Sequence, residues 1–60
     1  MKTTTVYIAN YCQLKDDVWR TDARVLDDVN ELAEFIVMLE TNHDEYRLTS
    51  VNVNVILGFE

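Results

Sequence analysis

The side chains that most often act in catalysis are scarce in this 60-residue sequence. His43 is its only imidazole, Cys12 its only thiol and Gly58 its only glycine. A zinc site needs several histidine or cysteine ligands, and a phosphate-binding loop needs glycines ahead of a helix. Cys12 lies on the apolar side of an alternating segment, which is typical of a small buried residue. The sequence therefore indicates a protein that is not an enzyme and that uses no metal or cofactor.

Acidic side chains, in contrast, are abundant: 11 acids against 5 basic residues give a net charge of −6. This charge argues against direct binding to nucleic acid, which requires a basic surface, and it fits either solubility or a basic partner. Several acids fall in a segment of helical period. At 100° per residue they share one face with a methionine, and a phenylalanine borders that face. These residues are Asp27, Glu31, Glu34, Met38 and Phe35.

This acidic face has two interpretations. In the first it is a solvated helix surface with two isolated apolar residues, which is common. In the second it is a protein-binding site, with charged side chains beside a hydrophobic anchor. With Asp28 included, four carboxylates lie within about 10 Å of helix rise, and a strand of B-DNA carries one charge per ~3.4 Å. The second interpretation predicts a surface that imitates DNA, formed by Asp27, Asp28, Glu31, Glu34, Phe35 and Met38.

The helix that carries this face is predicted from Asp27 to about Thr41. Its apolar stripe follows helical spacing and comprises Val29, Leu32, Ala33, Ile36 and Leu39. Asp28 followed by Glu31 is a capping-box pattern that marks the first turn, and Asn42 is expected to take a left-handed conformation at the end.

Three other segments alternate between apolar and polar residues, which predicts strands over residues 5–14, 18–25 and 46–57. The first two form a hairpin around Asp16 and Asp17, because aspartate tolerates the positive φ of a tight turn. The order β-β-α-β predicts an α+β fold: a single domain over residues 1–60, with one helix packed across an antiparallel sheet.

One helix cannot cover both faces of this sheet. If it covers the aliphatic face of the first strand, Tyr7 and Tyr11 are left for solvent or another subunit, and if it covers the tyrosines the aliphatic residues are exposed. The surplus of apolar surface, in a chain too short for a large core and without a disulfide, predicts a homodimer. The candidate interface residues are Tyr7, Tyr11 and Trp19, although Trp19 fits the core equally well.

Membrane insertion and export are not expected. The longest apolar run, residues 35–39, is far shorter than the roughly 20 residues that span a bilayer. The first five residues lack the apolar segment of a signal peptide, and an unpaired cysteine fits a reducing compartment. The expected location is the cytoplasm.

Short motifs resemble the small uracil-DNA glycosylase inhibitors of Bacillus phages. They are the Asp16-Asp17 turn, the helical sequence Leu32-Ala33-Glu34-Phe35, and Asp44-Glu45 ahead of an alternating last strand. The resemblance implies a phage-encoded acidic homodimer, active in the bacterial cytoplasm, that occupies the DNA-binding face of the glycosylase. It also implies that Phe35 lies near a cavity that receives a side chain of the enzyme, with Glu34 as the acid before it.

The sequence thus predicts a non-enzymatic DNA mimic that inhibits uracil-DNA glycosylase. Two alternatives remain. One is an inhibitor of another nucleic-acid enzyme, such as a CRISPR nuclease or a restriction enzyme. The other is a structural or regulatory adaptor that acts through its dimer or sheet surface. Salt distinguishes the adaptor, because apolar docking persists at high ionic strength whereas charge mimicry weakens.

Overall fold

A computed structural model describes residues 2–58. Along the chain it contains β1 (Lys2–Lys15), β2 (Val18–Leu26), α1 (Val29–Thr41) and β3 (Tyr46–Gly58). The strands form one antiparallel sheet in the order β2-β1-β3, so the first strand is central. The predicted α+β fold with the order β-β-α-β is confirmed, and β1 begins three residues earlier than the alternation predicted.

The hairpin between β1 and β2 turns on the two predicted aspartates. Asp16 has φ 52° and Asp17 has φ 63°, and Lys15 pairs with Val18 across the turn. Positive φ at both central residues matches the twist of a two-residue hairpin, and a short carboxylate side chain tolerates this conformation better than most. The turn therefore fixes the register of the whole hairpin.

The two ends of α1 differ in how well they were predicted. Asp28 is the N-cap, and its Oδ1 accepts a hydrogen bond from the Asn30 amide at 2.8 Å. At the other end Asn42 has φ −108°, so the left-handed conformation expected for it is wrong. Its backbone N–H and its Nδ2 both donate to the carbonyl oxygen of Met38, at 3.1 and 2.9 Å. Because those bonds satisfy the free carbonyl, the left-handed turn is not needed.

A β-bulge in β3 keeps the apolar residues of that strand on one face. Asn10 pairs with Ser50 but Tyr11 pairs with Leu48, which leaves Thr49 as the extra residue. The Thr49 hydroxyl donates to the Asn10 carbonyl at 2.9 Å. Since a bulge shifts the alternation by one residue, both Leu48 and Val51 face the helix.

The helix packs on the tyrosine face of the sheet. The buried core comprises Ala9, Leu26, Leu32, Phe35 and Leu39, with Tyr7 and Tyr11 partly buried against it. Of the two alternatives for the sheet, the helix therefore covers the tyrosines, so Tyr7 and Tyr11 do not form an open face available to a second subunit. The aliphatic face of β1 is the open one, and Trp19 lies on it with 42% of its surface exposed.

The apolar stripe of the helix is also rotated from the predicted one. Val29 is 58% exposed and Ala33 is exposed, whereas Phe35 is only 7% exposed. Ala9 has a small side chain between the two tyrosines of β1, and the Phe35 ring packs edge-on against Tyr11 at 5.2 Å between centroids. Aromatic side chains bury about 150–250 Å² each, so this rotation brings the largest side chain of α1 into the core.

Beyond the end of β2 the sheet narrows to two strands. Leu26, the last residue of β2, pairs with Tyr7, so residues 2–6 of β1 pair only with residues 54–58 of β3. We call this pair of segments the ribbon. Among residues 2–58 no helix is long and apolar enough to cross a membrane.

Candidate protein-binding surface

Four exposed carboxylates lie at and beyond the start of α1. They form what we call the acidic surface: Asp27, Asp28, Glu31 and Glu34. None of the four forms an ion pair with another residue in the range 2–58. Their charges are therefore not neutralised by direct contact within the described part of the chain.

Two of these acids also stabilise the helix. Asp28 caps it through the bond to Asn30, and Glu31 lies in the first turn, where a negative charge interacts favourably with the helix dipole. Asp27 precedes the cap and Glu34 follows the first turn, so neither is needed for capping. The acidic surface thus carries more negative charge than the helix end requires.

A shallow groove of about 350 Å³ separates α1 from β2. Met38 lies at its side and is 36% exposed. The Arg24 guanidinium lies over the Phe35 ring, 5.1 Å from the centroid, and brings one positive charge close to the acids. The groove is lined by Arg24, Leu26, Glu31, Glu34, Phe35 and Met38.

The structure changes the role expected for Phe35. With 7% of its surface exposed, and with the Tyr11 ring and the Arg24 guanidinium packed against it, Phe35 belongs to the core and does not project as an anchor. Phe35 still lines the groove from the core side, and its part in partner binding stays a prediction. Met38 is the accessible apolar side chain of the groove, on the same helix flank as Glu31 and Glu34.

Tyr11 connects the groove to the sheet. Its hydroxyl donates to Asp22 Oδ2 at 3.3 Å, and its ring lies 6.3 Å from that of Tyr46. Burial, followed by the negative charge of Asp22 and the hydrogen bond to it, raises the pKa of Tyr11 above its usual value. The neutral form of the hydroxyl is therefore favoured, as expected for a tyrosine whose ring packs against Phe35 under the helix.

The remaining chemically active side chains lie apart from this surface. Cys12 is half-buried on the open face of the sheet, not in the core. His43 lies in the exposed turn after α1, with its Nε2 3.5 Å from Asp44 Oδ1. No group of three or more histidine, cysteine, aspartate or glutamate side chains within residues 2–58 is arranged to hold a metal ion.

Arg24 is the groove residue that sequence reasoning missed. The signal was present in the hairpin: with a two-residue turn at Asp16 and Asp17, simple counting pairs Ala9 with Arg24. That pairing places the arginine on the tyrosine face. The choice of covered face was open from the sequence, so its position beside the helix could not be inferred.

No family model, curated protein or solved structure matches this chain. Its function is therefore argued from the charge, exposure and packing of the surfaces described above.

Proposed function

We propose that this protein is a non-enzymatic inhibitor that imitates DNA and occupies the DNA-binding face of an enzyme, with uracil-DNA glycosylase as the favoured target. The observation that carries the proposal is the group of four exposed carboxylates that form no ion pair with another of residues 2–58. In this proposal the protein acts in the cytoplasm and binds a protein, not nucleic acid.

The spacing of the acids supports mimicry of a phosphate backbone. Asp27 and Asp28 directly precede α1, and Glu31 and Glu34 follow within it, three residues or about 4.5 Å apart along the helix axis. One strand of B-DNA presents a charge every ~3.4 Å. Lysine and arginine side chains arranged for phosphates would therefore meet carboxylates at a similar density.

The groove supplies the contacts that act after encounter. Met38 is unbranched and flexible, and it adapts to an irregular apolar partner surface. Glu31 and Glu34 line the same groove, so a partner side chain that enters it meets an apolar wall with a carboxylate rim. Arg24 offsets part of this charge and favours docking of a partner with at least one acidic or aromatic group.

The choice of uracil-DNA glycosylase among DNA-binding enzymes comes from the resemblance of the short motifs described above. The acidic surface itself suits any basic DNA-binding face, so an inhibitor of a CRISPR nuclease or restriction enzyme would use the same side chains. Binding to an immobilised glycosylase, with uracil excision followed in parallel, tests the mechanism and the target together.

The central variant is Glu31→Gln with Glu34→Gln, which removes two charges while keeping side-chain size. Its matched control is Glu40→Gln with Glu45→Gln, which removes the same charge from two exposed positions, one in the last turn of α1 and one in the loop before β3. We expect the first pair to slow association about tenfold at low salt and to flatten its salt dependence, since long-range attraction sets the encounter rate. The control pair should have a much smaller effect.

A second comparison concerns Met38. Met38→Ala should mainly speed dissociation, by about tenfold, because an apolar contact acts after docking. Val37→Ala, on the neighbouring and more exposed position, should leave both rates unchanged. No binding by the unmodified protein would exclude the glycosylase, and equal effects of the two glutamine pairs would exclude mimicry by the acidic surface.

A further inference from the structure

The outer edge of β3 lacks the features that usually protect a sheet edge. The strand order leaves β2 and β3 as the two edges. Residues 48–58 contain no charged residue and no proline, and the bulge at Thr49 is near one end. Proteins generally prevent edge-to-edge pairing with charges, prolines or bulges. From Ser50 onward, β3 presents an edge that can pair with another strand.

The ribbon adds an uncovered apolar surface to this edge. It extends about 17 Å past β2, at roughly 3.4 Å per residue. On the helix side of the ribbon Val55 and Leu57 are 57% and 53% exposed, and Val53, directly before the ribbon, is 62% exposed. A two-stranded ribbon alone is marginally stable in water, and it needs a further strand or a packed helix.

The helix has a matching uncovered flank. Val29 is 58% exposed and Ala33 is exposed, and both lie on the side of α1 opposite the groove with β2. This flank therefore points toward and past β3. The helix covers Leu48 and Val51 of that strand but does not reach the ribbon.

The size of the molecule agrees with a missing partner. The surface area is 4651 Å², against about 4,000 Å² for a monomeric protein of this mass. The radius of gyration is 13.8 Å, against about 10 Å for a compact chain of 60 residues. The excess area is of the same order as the ~800 Å² that each partner buries in a standard interface.

We infer that a second copy of this chain pairs its β3 antiparallel with β3 of the first, about a two-fold axis at Val53. The central sequence Val51-Asn52-Val53-Asn54-Val55 reads the same in both directions. Pairing about Val53 therefore sets Val51 against Val55 of the second copy and Asn52 against its Asn54. Each valine meets a valine on the helix side, and each asparagine meets an asparagine on the open side.

This register covers both exposed surfaces at once. Beyond Val53 the chain runs away from its own helix, so antiparallel pairing brings residues 54–58 of the second copy beside residues 48–52 of the first. The exposed flank of α1, with Val29 and Ala33, then lies above Val55 and Leu57 of the second copy. The product is a six-stranded sheet whose two outer edges are both β2, the edge that carries Arg20, Asp22 and Arg24. The inference is independent of the inhibitory function, because it involves no target protein.

Sedimentation equilibrium at micromolar concentration is the first test, with Val53→Lys compared with Val25→Lys. The two valines are similarly exposed, at 62% and 64%, but Val25 is on β2 and on the open face. The unmodified chain should sediment at twice its 7.0 kDa mass. Val53→Lys should raise the dissociation constant at least about 50-fold, because it places two like charges opposite each other at the axis. Val25→Lys should leave it unchanged.

A cross-linking test remains informative if Val53→Lys does not fold. In a chain with Cys12→Ser, Val53→Cys should form an intermolecular disulfide under mild oxidation, since directly opposed residues lie 4.5–5.5 Å apart at Cα, within disulfide range. Asn54→Cys is the control, because Asn54 opposes Asn52 and not itself. A 7.0 kDa species at all concentrations, a dimer broken by Val25→Lys alone, or equal cross-linking at the two positions would overturn the inference.

Discussion

The two edges of the sheet are built in opposite ways. The β2 edge carries three charged residues on the helix side and adjoins the groove with its acidic rim. The β3 edge has no charge from residue 48 onward and adjoins valines that are more than half exposed. The same small helix separates the two regions, with Met38 and Glu34 on one flank and Val29 and Ala33 on the other.

Under the two proposals above, this difference divides the contacts of the molecule between two kinds of partner. Charged side chains at a sheet edge oppose strand pairing and remain hydrated. The β2 edge and the groove beside it therefore suit a reversible contact whose association rate depends on salt. An uncharged edge beside apolar side chains suits a permanent contact with a similar strand. If both proposals hold, self-association uses the β3 side and target binding uses the β2 side, without competition for surface.

The largest effect on stability is expected at Leu39, because the position of α1 determines both the groove beside β2 and the helix flank toward β3. Leu39 is 1% exposed and fixes α1 on the sheet, so Leu39→Ala should lower the free energy of unfolding by about 2–5 kcal/mol. In a chain this small such a loss is enough to unfold it. Urea denaturation followed by circular dichroism measures the change. Val37→Ala, at a 62% exposed position of the same helix, should change stability by less than about 0.5 kcal/mol. Similar losses for the two variants would mean that Leu39 does not hold the helix.

An intermediate effect should separate the acids that stabilise the helix from those that are free to bind. Asp28→Ala removes the N-cap bond to Asn30 and should cost about 1 kcal/mol. Asp27→Ala removes the same charge from the adjacent position without removing a cap bond, and its cost should be below about 0.5 kcal/mol. Thermal melts of both variants at one salt concentration make the comparison. A larger loss for Asp27→Ala would show that the acidic surface is organised differently.

The smallest effect concerns pH and Tyr11, whose hydroxyl donates a hydrogen bond to Asp22 of β2. Because folding raises the pKa of Tyr11, the folded protein holds this proton more tightly than the unfolded chain does. The resulting stability is complete below about pH 10, the ordinary tyrosine pKa, and is lost as the pH rises through the folded value. Tyr11→Phe should therefore show a shallower decline of unfolding free energy above about pH 10 than the unmodified protein. Tyr7→Phe keeps the contact between Tyr11 and Asp22, so it should retain the decline that Tyr11 causes.

Much of the fold followed from local sequence signals. Alternation located the three strands, two adjacent aspartates located the hairpin turn, and Asp28 located the start of the helix. Each of these depends on neighbours within a few residues, so the sequence carries them directly. The bulge at Thr49 also leaves a local trace, because Tyr46 and Leu48 alternate in one phase and Val51 and Val53 in the other.

The face of the sheet that the helix covers could not be predicted in the same way. Both faces of β1 contain apolar side chains, and the choice depends on how Phe35 packs beside Ala9 and Tyr11, which are distant in sequence. The covered face determines whether Phe35, Tyr7 and Tyr11 are buried or exposed. The strands and the helix are as predicted, but these three residues lie in or against the core. The acidic surface was predictable because it depends only on helical periodicity and on exposure opposite the core.

The pairing of β1 with both of its neighbours has a consequence for the order of folding. Its contacts with β2 close a loop of two residues, whereas Lys2 must find Gly58 across nearly the whole chain. Closing a longer loop costs more chain entropy, and distant contacts slow folding. We therefore expect the hairpin to form early and β3 to dock last. The strand with the uncharged edge is then the last to be covered, so under the proposed β3 pairing folding and self-association would compete for the same segment.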